Sequence, residues 1–293
     1  MQSIVLGGSG IVGGHIVRQL LLAGERPIAL SRSPPADSRE VRWFQGDLAD
    51  PESLKLPPIS TIYCTAHSVL LAKALPYLSN DELRRVVLFT STSIVTKLNS
   101  DIAAERDGLK RLAEGEQQTI DICERMGIGW TVLRPTMIYD EGRDANVTRL
   151  AGLIEKLGFM PLAGKGAGLR QPVHAEDLAI GALRAASSEA AKNKVYALPG
   201  PDTITYREMT GRIFDGLGKP RRIISLPPML WRAAFALASP FLPNANVAMG
   251  NRMAKDMVFD GSPAIQDFSW NPRGFRPQFK GTDFGHPDSS HQR

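Results

Sequence analysis

The sequence is poor in several features that mark specialised classes of protein. It has two cysteines, Cys64 and Cys123, in 293 residues, which excludes a disulfide-built scaffold and makes buried free thiols the expectation. No apolar run approaches the length of a membrane-spanning helix. No secretory signal is recognised, because Gly7 interrupts the apolar N-terminal stretch. We therefore expect a protein of the reducing cytoplasm.

Charge of one sign is not concentrated anywhere in the chain. The 35 Lys and Arg residues stand against 30 Asp and Glu, a formal net charge of +5, and no long basic block occurs. We find no nucleic-acid-binding motif and predict no nucleic-acid partner and no metal ligands. The mild positive balance is typical of a solvated basic surface, with attraction of a phosphorylated ligand or a membrane surface as the alternative.

What the sequence does have is a glycine-rich turn between an apolar strand and a helix. Ser3–Leu6 predicts the strand, and the periodicity from Ile11 to about Ala23 predicts the helix. This order is typical of a dinucleotide site, where glycines permit a tight turn and close approach of backbone to a pyrophosphate at the helix start. We predict cofactor contacts from Gly7, Ser9, Gly10, Ile11 and Gly13.

The second predicted strand, Pro27–Leu30, bears on the choice of cofactor. The acidic residue that binds the ribose of NAD is expected about 20 residues after the glycines, and none occurs between Glu25 and Asp37. Ser31 and Arg32 stand there instead, and a hydroxyl with a guanidinium suits a 2′-phosphate. We therefore predict NADP in preference to NAD, with a solvated loop arginine as the alternative.

Strands and helical segments then alternate, which predicts an α/β fold with a doubly wound parallel sheet. We predict further strands at Val41–Gln45, Thr61–Cys64, Arg85–Phe89, Trp130–Leu133 and Val195–Leu198. The helices are expected from Asp50-Pro51 onward, over Ala103–Met126, near 146–157, over 176–186 and after the capping box that begins at Thr205.

The composition of the sequence changes after Asp140, where glycine and proline become frequent. We predict an NAD(P)-binding Rossmann domain over 1–140, with segments near 172–200 returning to it. A smaller, interleaved substrate lobe is expected over 141–280, followed by a disordered tail at 281–293. The apolar stretch 226–242 is expected to pack on the small lobe, with contact to a membrane surface or a protein as the alternative.

Several stretches together resemble the extended short-chain dehydrogenase/reductases, in the branch of nucleotide-sugar epimerases and dehydratases. They occur in the order of that family and span about residues 1–220: Gly7–Gly13, Gly46–Leu48, Leu88–Ser93, Leu133–Tyr139 and Gln171–Ala179. Because several independent motifs agree, the resemblance is strong for the fold. It is weaker for the activity, since one fold supports many chemistries.

The resemblance implies roles for residues at the carboxyl ends of the strands. Asp47 and Leu48 would contact the adenine, and Thr92 would bond the reacting oxygen as the catalytic candidate. Core packing of Cys64 and a helix-entry role for Asp47 are the alternatives. The further cofactor contacts that the resemblance implies are Cys64, Ala66, Thr90 and Pro135.

The chain departs from the family at the catalytic helix. The family uses a tyrosine and a lysine four residues later as its proton relay, and no tyrosine occurs here between Tyr77 and Tyr139. One alignment places Arg106 and Lys110 at the two positions. We prefer the other, which places Gly108 and Leu112 there by matching the family's helix glutamate to Glu116, 18 positions before Arg134. In both, the phenol is absent.

Three consequences of this departure stay open. Another side chain, of Tyr139, His67 or His174, would replace the phenol, or hydride transfer would take its protons from water, or no chemistry would occur. We predict an NAD(P)-dependent oxidoreductase or epimerase/dehydratase-like enzyme acting on a small, nucleotide- or sugar-linked substrate. The alternative is a catalytically silent NAD(P)-binding accessory or sensing protein. The second lobe would hold the substrate through Tyr139, Asn146, Arg170 and His174.

Overall fold

The computed structural model describes residues 2–35, 40–96, 102–227, 229–231, 250 and 252–282. The chain divides into two compact units, each made of separate segments. The first contains Met1–Thr136, Ala175–Leu198 and Phe259–Pro272, and the second contains Met137–His174, Pro199–Val258 and Arg273–Arg293.

The strands, in chain order, are β1 (Ser3–Leu6), β2 (Ile28–Ser31), β3 (Arg42–Gln45), β4 (Thr61–Cys64), β5 (Arg85–Phe89), β6 (Gly129–Pro135), β7 (Ile138–Tyr139), β8 (Met160–Ala163), β9 (Leu169–Arg170), β10 (Val173–His174), β11 (Lys194–Leu198), β12 (Ile204–Thr205) and β13 (Ile223–Leu226). The helices are α1 (Ile11–Leu22), α2 (Ser68–Leu78), α3 (Ser93–Thr96), α4 (Ala103–Arg125), α5 (Val147–Leu157), α6 (Ala175–Ser187), α7 (Tyr206–Gly216) and α8 (Ser262–Phe268).

A parallel sheet of seven strands forms the centre of the first unit, in the order β11-β6-β5-β4-β1-β2-β3. Its inner strands are short apolar runs, and β1 and β5 are buried at every residue, as expected for a sheet covered on both faces. Helices flank the sheet, α1 packing against α6 and α2 against α4. The predicted doubly wound α/β fold is confirmed.

The predicted strand positions agree with the structure to within one or two residues, but two helical segments differ. The helix expected from Asp50-Pro51 is a single 3-10 turn, Pro51–Ser53, and the Asp50 side chain makes no capping hydrogen bond. Leu54 is already extended, and Pro57 and Pro58 keep the chain there from turning helical. Helix α2 was missed because it contains Pro76, a residue that usually ends helices.

Among its described residues, the second unit contains three two-stranded sheets and the helices α5 and α7. Strand β10 pairs in parallel with β7, β13 in parallel with β8, and β12 antiparallel with β9. Its core includes Tyr139, Phe214 and Phe275, all almost fully buried. The predicted capping of α7 is present, since the Thr205 hydroxyl accepts the Glu208 N–H at 3.0 Å.

The division of the chain differs from the predicted one at residues 259–272. The sequence places them in the smaller lobe, whereas the structure has them in the first unit. Asp267 of α8 explains this, because its carboxylate bonds the Lys194 ammonium at 2.8 Å and accepts the Tyr196 hydroxyl, both on β11. Residues 259–272 therefore rejoin the first unit through contacts with β11, and these contacts involve residues far apart in the sequence.

Two predictions concern segments at the limits of the description. Of the apolar stretch 226–242, the structure describes only 226, 227 and 229–231, and of the tail 281–293 only 281 and 282. The predicted packing or contact of 226–242 and the predicted disorder of the tail therefore lie outside the described residues. Among the residues that are described, none of the helices combines the length and the apolar character needed to span a membrane.

Candidate functional site

Two glycines shape the turn between β1 and α1. Gly7 has a φ of +83°, a left-handed conformation that residues with a Cβ rarely adopt. Its carbonyl accepts the Gly10 N–H at 2.9 Å, which closes the turn. A Cβ on Gly13 would lie 2.1 Å from the Gly7 carbonyl oxygen. Only glycine at position 13 therefore lets α1 begin so close to the turn.

The amino end of α1 has the properties of an anion site. Gly10 is its N-cap residue, and among the described residues no side chain caps it and no acidic residue stands in its first turn. The first N–H groups of a helix, here beginning with Ile11, have no partner within the helix and lie at the positive end of its dipole. A diphosphate fits this arrangement without further adjustment.

The turn lies where the strand order of the sheet reverses. Strand β1 has β4 on one side and β2 on the other, and ligands of open α/β sheets bind at such a point. Thr65, directly after β4, donates its hydroxyl toward the Leu6 and Gly7 carbonyls at 3.2 and 3.1 Å. This hydroxyl fastens the end of β4 to the glycine turn.

Cys64 and Ala66 lie on either side of Thr65. Cys64 is fully buried in the core of the first unit, and its thiol donates to the Ala66 carbonyl at 3.7 Å. Burial raises the pKa of this thiol to about 12, so it stays neutral and is no nucleophile. Core packing accounts for Cys64, whereas the cofactor contact predicted for both residues stays a prediction.

Hydroxyl groups gather where β2 ends. The Ser31 and Ser9 Oγ atoms are 3.1 Å apart, and Ser31 Oγ also accepts the Ser33 N–H at 3.2 Å. The exposed Arg32 follows, with its carbonyl accepting the Gln45 side-chain amide at 3.2 Å. The glycine turn and the end of β2 therefore meet through Ser9 and Ser31, and the guanidinium is carried by the next residue.

The predicted adenine contacts lie in the turn after β3. One Asp47 carboxylate oxygen accepts the Ala49 N–H at 2.9 Å, which stabilises that turn. Leu48 is 6% exposed and belongs to the core of the first unit. Both residues thus have local structural roles, and their contact with an adenine stays a prediction.

The residues after β5 bond to β6 and α4. The Thr92 side chain is 6% exposed, and its hydroxyl donates to the Pro135 carbonyl at 3.0 Å. The Thr90 hydroxyl donates to the Glu116 carboxylate at 2.7 Å. The single hydroxyl proton of Thr92 is therefore directed at Pro135, and bonding a substrate oxygen as donor would require it to turn away.

Glu116 fixes the alignment of α4 with β6. It is 4% exposed and forms an ion pair with Arg134 through Nε, at 3.2 Å, and through Nη2. The preferred alignment, which places Gly108 and Leu112 at the tyrosine and lysine positions, stays a prediction. A Cβ on Gly108 would meet nothing within 4 Å, so the helix has room for a side chain there.

His67, one suggested substitute for the phenol, precedes α2. Its Nδ1 accepts the Val69 N–H at 3.4 Å, which caps the helix. Partial burial and the nearby Arg111 guanidinium lower the pKa of the imidazole, so the neutral form prevails at neutral pH. His67 is the only one of the three suggested substitutes that belongs to the first unit.

Comparison with known proteins assigns the family. The family model described as NAD(P)H-binding matches residues 7–156, about half of the chain, from the glycine turn through α5. This chain belongs to the NAD(P)H-binding family. The predicted nicotinamide cofactor is thereby confirmed at the level of NAD(P), and the fold that the resemblance implies agrees with the solved structure described below.

Proteins similar in sequence to this NAD(P)H-binding chain differ in the activities that their names describe. The chain is 25% identical, over 80% of its length, to the mitochondrial NADH dehydrogenase (ubiquinone) 1 alpha subcomplex subunit 9 of Arabidopsis thaliana, and it spans 62% of that protein. It is 22% identical to the 2-alkyl-3-oxoalkanoate reductase of Stenotrophomonas maltophilia, covering 93% of the chain and 95% of the relative. Sequence relatives of the NAD(P)H-binding chain thus include both a reductase and a subunit of a larger assembly.

Among solved structures, the fold is similar to the UDP-glucose 4-epimerase of Thermus thermophilus in complex with NAD. The TM-score is 0.71 at 18% identity, covering 96% of this chain and 97% of the other. At this identity the likeness concerns the fold alone. It agrees with the parallel sheet of the first unit.

Two predicted substrate residues of the NAD(P)H-binding chain lie together in its second unit. Tyr139 and His174 are opposite each other on β7 and β10, and their rings meet edge to face with centroids 5.0 Å apart. Tyr139 makes the same contact with Phe275 and is 1% exposed. Tyr139 is therefore part of the core, and a substrate contact by either residue stays a prediction.

The other two predicted substrate residues have separate surroundings. Arg170 is 3% exposed, and its guanidinium donates to the Leu169 and Lys255 carbonyls, both at 2.7 Å, above the Tyr206 ring. Asn146 is exposed and donates its side-chain amide to the Ile138 carbonyl at 3.0 Å. The structure does not bring these two side chains together, and their substrate roles also stay predictions.

Two acidic residues of the second unit were missed from the sequence. Asp140 and Glu141 follow β7 directly, and each has a carboxylate oxygen near His174 Nε2, at 3.8 and 3.2 Å. Burial alone would raise the pKa of Glu141, but hydrogen bonds from His174 and from backbone N–H groups, including that of Gln278, lower it. Glu141 is therefore ionised at neutral pH. The only available signal was the acidic pair after a short strand.

A cavity of about 300 Å³ also lies within the second unit. Opposite charges face each other along it: Arg221 bonds Glu208 at 2.9 Å and also pairs with Asp215, while Arg212 bonds Glu208 at 3.2 Å. Three arginines therefore face two carboxylates along the cavity, and two of them, Arg212 and Arg276, also pair with Asp202. Its remaining lining residues are Gly216, Arg276, Pro277 and Gln278.

Proposed function

We propose that this protein is an NADP(H)-dependent oxidoreductase that reduces a carbonyl group of a small substrate. The observation that carries the proposal is the glycine turn before α1. A Cβ at Gly13 would collide with the Gly7 carbonyl oxygen, and the uncapped amino end of α1 lies where the strand order of the sheet reverses. These backbone groups fit a diphosphate. When bound, the reduced nicotinamide supplies a hydride.

The phosphorylated cofactor is favoured by the end of β2. Ser9 and Ser31 place two hydroxyls within 3.1 Å of each other, and Arg32 follows. A guanidinium forms charge-assisted, bidentate bonds to phosphate oxygens, whereas the sequence has no acidic residue between Glu25 and Asp37 to accept a ribose hydroxyl of NAD. The preference for NADP therefore depends on Arg32.

The proton chemistry is expected to differ from that of the family. Gly108 and Leu112 offer no acid or base, and the Thr92 hydroxyl donates to the Pro135 carbonyl. In the proposal, the chain orients the substrate carbonyl, and water supplies the proton to its oxygen. Thr92 stays the candidate contact to that oxygen, which requires its hydroxyl to leave Pro135.

Calorimetric titration with NADPH and NADH tests the cofactor. We expect NADPH to bind more tightly, and Arg32→Ala to lower that preference about tenfold, the worth of a hydrogen bond to a charged group. Arg84→Ala is the matched control. Arg84 is exposed and directly precedes β5, so it lies at the amino ends of the parallel strands, whereas Arg32 follows the carboxyl end of β2. Equal affinity for both cofactors, unchanged by Arg32→Ala, would contradict the NADP preference.

Oxidation of NADPH with a panel of carbonyl compounds and UDP-sugars, followed by absorbance, tests the activity. Thr92→Val removes the hydroxyl and Thr92→Ser keeps it. If Thr92 bonds the reacting oxygen, Thr92→Val loses turnover and Thr92→Ser retains most of it. Equal turnover in both variants would leave Thr92 a structural link between β5 and β6.

We infer as a second candidate a catalytically silent NAD(P)-binding accessory protein. It is favoured by the absent proton relay at Gly108 and Leu112 and by the similarity to a named subunit of NADH dehydrogenase. This candidate predicts the same calorimetric binding of NADPH without oxidation by any member of the panel. Turnover above the protein-free rate, lost in Thr92→Val, would exclude it.

A further inference from the structure

We propose that the carboxylates of Asp140 and Glu141 and the imidazole of His174 bind one divalent transition-metal cation. The three residues belong to the second unit. The proposal is independent of the nicotinamide cofactor, because each of its observations concerns that unit alone.

The pairing of two short strands brings the three side chains together. His174 is opposite Tyr139 in the parallel register of β7 and β10, and Asp140 and Glu141 are the next residues after β7. The carboxyl ends of parallel strands lie at the same edge of a sheet. Two acidic residues therefore meet a histidine that is more than 30 positions away along the chain.

The distances between the potential ligand atoms are those of a small coordination site. His174 Nε2 is 3.2 Å from Glu141 Oε2 and 3.8 Å from Asp140 Oδ1, and one ligand atom from each of the three residues lies within 4.8 Å of the others. A cation bound at about 2.1 Å separates neighbouring ligand atoms by roughly 3–3.4 Å. The separation of His174 Nε2 from Glu141 Oε2 lies in that range, and that from Asp140 Oδ1 has to shorten when a cation binds.

Each carboxylate is held by its other oxygen. Arg143 Nη1 is 3.1 Å from Asp140 Oδ2, and the Gln278 N–H donates to Glu141 Oε1 at 3.1 Å. The second oxygen of each carboxylate is thereby turned toward His174. Outer partners that orient the ligating carboxylates in this way are a regular feature of protein metal sites.

The donor set and its burial indicate the class of cation. The Asp140 and His174 side chains are each 10% exposed and the Glu141 side chain 20%, so the three donor groups are largely shielded from water. An imidazole among carboxylates favours Zn²⁺, Fe²⁺ or Mn²⁺ over Mg²⁺ and Ca²⁺, which prefer oxygen ligands throughout.

Calorimetric titration of the full-length chain, after chelator treatment, tests the site with ZnCl₂, MnCl₂ and MgCl₂ in turn. We expect one cation for each chain, with Zn²⁺ bound more tightly than Mn²⁺ and Mg²⁺ the weakest. Asp140→Asn, Glu141→Gln and His174→Gln should each weaken Zn²⁺ binding by tenfold or more. His67→Gln is the matched control, since it removes an exposed histidine of the first unit and should leave the affinity unchanged.

A second measurement needs no variant and covers the case in which a substitution prevents folding. Substoichiometric Mn²⁺ broadens the NMR signals of nearby ring protons, and we expect the buried histidine ring of His174 to be affected before the exposed ring of His67. Zn²⁺ affinity equal in the wild type and Glu141→Gln overturns the proposal. Broadening that spares His174 overturns it as well, and the three residues then form an ion-paired cluster only.

Discussion

The glycine turn of the first unit and the charged clusters of the second are built from different parts of the chain. The turn uses backbone N–H and carbonyl groups of neighbouring residues, 7–13, and needs space where side chains would be. The clusters use charged side chains from separate segments, such as Asp202, whose carboxylate pairs with both Arg212 and Arg276. A site made of backbone can be recognised in the sequence, whereas a site made of paired charges depends on the fold.

Filling the space at the turn should have the largest effect of any change. In Gly13→Val, the new Cβ would meet the Gly7 carbonyl oxygen at 2.1 Å, so α1 has to move from β1 and the phosphate-binding N–H groups move with it. We expect NADPH binding to fall more than a hundredfold by calorimetry. Gly108→Ala is the matched control, because its Cβ meets nothing within 4 Å; it should bind normally and gain up to about 1 kcal/mol of stability. Normal binding by Gly13→Val would refute the importance of this close approach.

The first unit also contains a buried charge pair, which sharpens the comparison. Glu116→Gln leaves the Arg134 guanidinium without its anionic partner, and breaking a buried pair costs about 3 kcal/mol or more. Chemical denaturation should show this loss of unfolding free energy. Exposed Glu114 on the same helix, 3.9 Å from Lys110, provides the control, since Glu114→Gln should change stability by about 0.5 kcal/mol or less. Similar effects of the two substitutions would count against a structural role for the buried pair.

Restoring the missing relay tests whether the first unit lacks only these two side chains. Gly108→Tyr with Leu112→Lys puts a phenol and an ammonium one helical turn apart on α4. Because a positioned general acid contributes about a hundredfold or more, we expect at least a tenfold rise in NADPH oxidation with an active carbonyl compound. Gly108→Phe with Leu112→Lys has no hydroxyl and should not show it. A faster NADPH oxidation in both double variants would attribute the gain to the packing of the new ring and not to its hydroxyl. No gain in either variant would mean that the reacting atoms do not lie beside position 108.

The smallest expected effect concerns the charge cluster around Asp202 in the second unit. Partial burial would raise the pKa of Asp202, but hydrogen bonds from Arg212, the Phe275 N–H and Arg276 lower it overall. A lowered carboxyl pKa gives stability that is complete above the unfolded-state value, about 3.9, and is lost as the pH falls through the lower folded-state value. Asp202→Asn should therefore cost about 1–2 kcal/mol at pH 7 and progressively less below about pH 4. A difference that is constant from pH 7 to pH 3 would show that the carboxylate charge is not involved.

Much of the first unit, and the cap of α7 in the second, could be predicted because the signals are local. The apolar runs of β1, β4 and β5, the glycine turn and the Thr205 cap each depend on residues close in sequence, and each is found at the predicted place. Patterns that repeat with the period of a strand or helix survive without tertiary information.

The remaining features were not predictable for identifiable physical reasons. Pro76 concealed α2, and the extended Leu54 reduced the expected helix at Asp50 to one turn. The substrate role predicted for Arg170 stays a prediction, but the sequence could not show that its guanidinium donates to the Leu169 and Lys255 carbonyls and lies over the Tyr206 ring. The partner of a long charged side chain is set by segments far away in the sequence.

By itself the sequence determined the kind of sheet, the site of the glycine turn and the family, since these follow from spacing between neighbours and from the steric freedom of glycine. Only the tertiary structure decided that residues 259–272 join the first unit, that the Thr92 hydroxyl is bonded to Pro135, and that Asp140, Glu141 and His174 converge. Those outcomes depend on strand pairing and on side chains that meet across long stretches of chain, and no local pattern records which distant partner a polar group will find.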